Sequence, residues 1–192
     1  TNMPKKGVGL NDVFSLDHPF QNVHTTTLNK KTKHPELQFK YSNEELSFYG
    51  EPKIIMAHKM YGFPYIDRTG EYGISSRDNY IIKNKTVGEM ELIKEFLSTE
   101  LILFLFESTR YRMRYLEKYV FEFIPDFSKI PEAVSMFETH TVDIYKLIGL
   151  DENEKEYVER YHKIKYKFFW EKKQLINCII LGDYTLVITK QN

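Results

Sequence analysis

The apolar pattern changes period at Thr86, and that change most limits the folds open to this chain. Before it, short apolar runs lie between turn signals. "KIIMAH" (53–58) and "DNYIIK" (78–83) predict strands, and the alternation of "LQFKYS" predicts another over 37–42. "IDRTGEYG" places Asp67 and Gly70 at the ends of a four-residue bend, which predicts a hairpin. After Thr86, Val87, Met90, Ile93, Phe96, Leu97, Leu101 and Phe104 recur at helical spacing. This predicts one largely buried helix to Glu107, continuing through "STRYRMRYLEKYVFEFI" to Pro125, with Arg110, Arg114 and Lys118 four apart on one face. Pro125 and Pro131 bracket a loop. A short helix closed by Gly149 follows, then one with Asp151 as N-cap and Glu154 completing a capping box. The tail "QLINCIILGDYTLVITK" reads as a terminal β-hairpin turning at Gly182-Asp183. Short antiparallel strands and hairpins in the N-terminal half, helices in the C-terminal half and a final hairpin make an α+β fold, not a doubly wound sheet.

A chain of 192 residues that is 42 % hydrophobic can form a core without staples. We expect a single domain over 1–192: an irregular linker over 1–35, a strand and hairpin part over 36–85, a helical part over 86–170 and the hairpin over 173–190. The lone Cys178 excludes an intrachain disulfide and fits a reducing, cytoplasmic compartment. The longest apolar run, Leu101 to Phe106, is far below the roughly 18 residues of a membrane span, so no membrane partner is expected. The N-terminus has no apolar signal region, and Thr1 is not an initiator Met, which suggests a processed chain or a fragment. Net charge is zero, from 27 basic and 27 acidic residues, so any polyanion binding has to come from local patches.

Most motifs of small-molecule chemistry are missing. Gly7-Val8-Gly9 lacks the third glycine and the preceding strand of a dinucleotide fingerprint, and no phosphate-loop motif occurs. One Cys and scattered His residues, with His18, His24 and His34 in expected loops, give no zinc spacing, so no metal is assigned. Pro125-Asp126 with Glu171-Lys172-Lys173 imitates a metal-dependent nuclease signature, but helix ends are the wrong setting for it.

What the sequence has in excess is basic and aromatic residues at bends: His58, Lys59, Tyr61, Tyr65, Arg68, Tyr72, Arg77 and Tyr80 within 52–84. Aromatic residues are 15 % of the chain, and tyrosine suits surfaces that are half apolar and half hydrogen-bonding. "KKGVGLNDVFSL" resembles the segment that opens the target recognition domain of N6-adenine DNA methyltransferases. That group includes fused type IIG restriction–modification enzymes of bacteria and relatives in large DNA viruses. Gly7, Gly9, Asn11 and Phe14 match, and the family's Thr is absent. "PKIIMAHKMYGFPYIDRTGEYGISSRDNYII" is similar to that domain's hairpins at Pro52, Lys53, Pro64, Asp67, Gly70, Tyr72 and Gly73. "ELIKEFLSTELILFLFE" resembles its following helix at Leu97 and Ser98, and "FEFIPDFSKIP" and "IYKLIGLDENEKEYVER" its closing elements.

The resemblance implies a sequence-reading module for double-stranded DNA with no catalytic residue of its own. A catalytic methyltransferase domain, in the same or a partner chain, would hold S-adenosylmethionine. Loops between strands can reach base edges in the major groove, where Arg donates twice to guanine and Asn pairs with adenine. On that reading Arg68, Arg77 and Asn79 read bases, and Tyr61 and Tyr65 stack or pack beside them. Lys59, Lys30, Lys31 and Lys33 meet phosphates, joined by Arg110 and Arg114 unless that stripe is a solvated face paired with Glu107 and Glu117. Two other classes fit the same residues: a protein–protein interaction domain, favoured by zero net charge, and a magnesium nuclease using Asp126 and Glu171.

Overall fold

The computed structural model describes residues 9–28, 35–58, 64–110 and 115–165. The expected terminal hairpin, 173–190, lies outside them. Within them the chain is α+β, with strands first and helices after.

Two sheets and a helical layer stack on one another. The first sheet has the order β1 (Leu10–Asn11), β3 (Pro35–Ser42), β2 (Phe20–Leu28), β6 (Gly73–Ile74), and the second has β5 (Pro64–Asp67), β4 (Lys53–Ala57), β7 (Asn79–Ile82). β4 is the pivot. All five of its residues are buried because both its faces are covered, which is why it reads as a continuous apolar run and not an alternation. Ile54 and Met56 point into the larger core beneath the helices, with Ile66, Met90 and Phe96. Ile55 points the other way, into a smaller core between the sheets with Val23, Ile74 and Phe39.

The stretch 1–35, expected to be an irregular linker, contains β1 and the nine-residue β2, whose pairing with β3 is the longest among the described residues. The period-2 signal of "FQNVHTTTL" is hidden by a bulge. Val23 faces Phe39 and Thr25 faces Gln38, so His24 is the extra residue and the inward set shifts by one.

The hairpin expected at "IDRTGEYG" does not form. β5 pairs with β4 in the second sheet, whereas β6 pairs in parallel with β2 in the first. The bend is instead a crossing between layers. Asp67 stops the chain from doubling back because its Oδ1 accepts from the N–H of Gly70 and Glu71 (2.9 Å each) and its Oδ2 from that of Tyr72 (3.0 Å).

The long helix expected from Thr86 breaks in two. α1 (Val87–Leu97) opens with a capping box in which Thr86 Oγ1 accepts from Glu89 N–H and Glu89 Oε2 accepts from Thr86 N–H. The hydroxyls of Ser98 and Thr99 donate back to the carbonyls of Lys94 and Phe96, and α2 (Glu100–Ser108) starts afresh. Helix does not continue to Pro125. Tyr115 forms an isolated bridge, and residues 118–122 make a tight 3-10 turn. After a second such turn come α3 (Pro131–Glu138), with its proline in the first turn, and α4 (Ile144–Ile148), closed by Gly149 at φ 73°. In α5 (Glu152–Lys165) the expected box is present: Glu154 N–H donates to Asp151 Oδ1 at 2.9 Å and Asp151 N–H to Glu154 Oε2 at 3.0 Å.

Candidate functional site

Five of the motif residues of 52–73, Lys53, Asp67, Gly70, Tyr72 and Gly73, meet in one largely buried joint, whereas Pro52 is exposed and Pro64 lies at the other end of β4. Lys53 has no exposed surface, and its ammonium donates to Asp67 Oδ2 at 2.6 Å, Phe48 O at 2.9 Å and Glu51 O at 3.0 Å. Burial pushes the Lys53 amine below its usual range, and the Asp67 carboxylate works against that push. Asp67 in turn receives the three backbone donors named above, so both members of the pair are fully hydrogen-bonded. Gly70 sits at φ 78°, where a Cβ would come within 2.5 Å of the Gly50 carbonyl carbon. Tyr72 packs on Phe39, with ring centroids 5.1 Å apart, and burial raises its phenol above the ordinary range. Lys53 and Asp67 therefore clamp β4 to β5 and fix the crossing through Gly70 and Tyr72 to β6 in the first sheet; none of them is a free tip.

The sequence candidates separate according to which end of the second sheet they occupy. Arg68 follows Asp67 at the Lys53 end and pairs with Glu91 on α1. Arg77 precedes Asn79, which faces Ala57 at the other end. The strand between them is four residue steps, about 13 Å, so the two arginines do not converge on one base pair. Tyr65 is packed between the sheets beside Tyr72, and burial drives its phenol far up. Asn79 is 1 % exposed, and its Nδ2 donates to His24 O at 3.0 Å. Arg110 lies beyond the end of α2, where its side chain is 6 % exposed and pairs with Glu107 at 2.7 Å. Lys118 opens a 3-10 turn and shares no helix with Arg110. Lys30, Lys31, Lys33, Lys59, Tyr61 and Arg114 lie outside the described residues.

Arg77 is exposed, and its turn is bolted down. The bulged residue His24 accepts from both Ser76 Oγ and Asn79 Nδ2 through its carbonyl, and its ring Nδ1 lies 3.2 Å from Ser75 Oγ. Ser76 Oγ also accepts from Asp78 N–H at 3.1 Å. Ser75 and Ser76 are buried, so this cluster is scaffold for the arginine at its tip. Ser76, Asn79 and His24 act as its holders. The available sequence signals for that role were the S-x-D turn and the irregular alternation of β2.

Other chain segments leave from the same end. His58 N–H donates to Asp78 O at 2.8 Å, so the connection carrying Lys59 and Tyr61 departs beside the Arg77 turn. Leu116 N–H donates to His58 O at 2.7 Å, and the Tyr115 ring stacks on His58 at 5.0 Å, so the segment carrying Arg114 rejoins there. β2 runs parallel to β6, so its last residue, Leu28, lies toward the end to which residues 75–77 run.

Asp126, the nuclease candidate, precedes the second 3-10 turn, where its carboxylate binds Lys85 Nζ at 2.6 Å and Ser128 Oγ at 2.7 Å. Burial opposes them, but those partners hold Asp126 below the ordinary carboxylate range. Glu171 lies outside the described residues, and among those described no group of three His, Cys, Asp or Glu is placed to hold a metal. No described helix is long and apolar enough to cross a membrane. No family model, curated protein or solved structure matches this chain.

Proposed function

We propose that this chain is the sequence-reading part of an N6-adenine DNA methyltransferase, meeting double-stranded DNA at the end of the sheets that carries Arg77. The observation that carries the reading is convergence. An exposed arginine stands on a hydrogen-bonded turn, His58 and Tyr115, which border the segments bearing Lys59 and Tyr61 and Arg114, lie beside it, and β2, which precedes Lys30 to Lys33, runs toward the same end. Arg77 reads a guanine edge through two parallel N–H donors. The lysines neutralise phosphates and set the register of the duplex. Asn79 acts through Arg77 as a positioning residue, because its amide is committed to the His24 carbonyl. Arg68 lies at the far end with Glu91 and is left out of the reading head. S-adenosylmethionine and the adenine pocket belong to a catalytic domain in the same or a partner chain.

The test is selection from a pool of randomised duplexes by the full chain. Wild type should enrich a consensus. Arg77→Ala should relax one position of it, losing about 1–3 kcal/mol of discrimination there, while Lys59→Ala weakens all sequences alike and lowers the salt slope by about one. A pool with no consensus, or a consensus unchanged by Arg77→Ala, overturns the reading. The protein–protein alternative draws on one separate observation, the exposed apolar arch between β1 and β2.

A further inference from the structure

β1 and β2 run in the same direction on either side of β3, so residues 12–19 must arch across β3 to join them. The arch carries Val13, Phe14 and Leu16 to solvent at 74, 56 and 91 % exposure. Scattered single apolar residues on a surface are ordinary; three within four positions are not.

The arch is also held in shape. His18 N–H donates to Ser15 O at 3.0 Å, and the His18 ring Nδ1 lies 3.1 Å from Asn11 Nδ2 and 3.4 Å from Ser15 Oγ. Asp12 pairs with Lys40, and Phe14 packs edge-on to Tyr41. A contact surface ordered in advance loses little entropy when it binds.

The charges around it select the occupant. Asp12 and Asp17 lie on the arch, and Glu44 and Glu45 follow Ser42, which faces the strand residue Phe20 where the arch ends; all four are exposed, with Lys40 the single cation among residues 10–20 and 40–45. Phosphates of DNA and anionic lipid headgroups are repelled by such a rim. We propose that the 12–19 arch is a docking tip for a second protein, one with an apolar pocket rimmed by lysine or arginine. This surface is distinct from the Arg77 end and does not depend on DNA binding.

The experiment places a photo-crosslinking p-benzoylphenylalanine at Leu16 of the full chain in its native cell, with the same residue at exposed Glu132 as control. The captured protein is then purified, and its affinity for the uncrosslinked chain is measured. Both Leu16→Asp and Asp17→Lys should weaken it tenfold or more, with the far-ultraviolet spectrum unchanged. Binding to a duplex oligonucleotide and to phosphatidylcholine vesicles should be the same for wild type and Leu16→Asp. The proposal is overturned if position 16 captures nothing beyond the Glu132 control, or if Leu16→Asp leaves the purified partner's affinity unchanged. It is equally overturned if Leu16→Asp reduces vesicle or duplex binding.

Discussion

Removing either member of the Lys53–Asp67 pair should cost more than any surface change, and the two losses should be unequal. Lys53 has no exposed surface and Asp67 is 2 % exposed, so water cannot replace a lost partner. Breaking a buried pair by deleting one charge costs about 3–5 kcal/mol. In Lys53→Met the carboxylate keeps three backbone N–H donors, from Gly70, Glu71 and Tyr72, so the loss should lie near the bottom of that range. In Asp67→Asn the ammonium is left with two carbonyls, Phe48 O and Glu51 O, and the loss should lie near the top. Against a total stability of about 5–15 kcal/mol, either is a large fraction. Urea unfolding followed by circular dichroism measures both variants and the double mutant. The double mutant should fall short of the sum by about 2 kcal/mol, well outside the roughly 0.5 kcal/mol of independent sites. Additive losses, or a Lys53→Met loss below about 1 kcal/mol, would refute the reasoning, because the β4–β5 edge and the crossing that leaves it would then not depend on this charge pair.

Two glycines should respond with opposite signs. A Cβ on Gly73 would lie 2.1 Å from Asn22 Oδ1, and Asn22 cannot yield because its Nδ2 is tied to Phe20 O at 2.8 Å and Ser42 Oγ at 2.9 Å. Gly73→Ala should cost about 1–3 kcal/mol and lower Tm accordingly. Gly88, in the first turn of α1, has nothing within 4 Å of such a Cβ, and Gly88→Ala should raise stability by about 0.4–1 kcal/mol. Alkaline pH gives a third prediction. Burial first, and then the neighbouring Glu100 carboxylate, hold the Tyr145 phenol above its ordinary value, so above pH 10 the unfolded chain ionises before the folded one and stability falls. The buried amines of Lys53 and Lys94, pushed down, contribute with the opposite sign, so the informative comparison is with a variant. Tyr145→Phe should lose less of its urea midpoint between pH 9 and 11 than wild type does, and an equal loss counts against the buried phenol.

The fold class was legible because β4, β7 and the α5 capping box write their structure locally: continuous apolar runs, turn residues at the ends, acid before base along a helix. What misled were signals with a non-local alternative. Asp67 and Gly70 have the chemistry of a tight turn, but the partner of β6 is β2, about fifty residues back, and no local pattern announces it. The bulge at His24 concealed a central strand inside an apparent linker. The Ser98-Thr99 pair ends a helix whose apolar spacing runs straight through it. The same distinction governs the site. Residue type nominated Arg77 and Asn79 alike, yet only burial separates the exposed arginine from the amide that braces it. Arg68 and Arg77 look like neighbours in sequence and lie at opposite ends of a sheet.

The most direct measurement is photo-crosslinking of the chain to its selected duplex with 5-iodouracil placed at each thymine position in turn, followed by peptide mapping. The account predicts attachment within the peptides that contain Tyr61 or residues 75–80, abolished at one position by Arg77→Ala. Attachment confined to the Arg68–Glu91 end, or to the 12–19 arch, would contradict it.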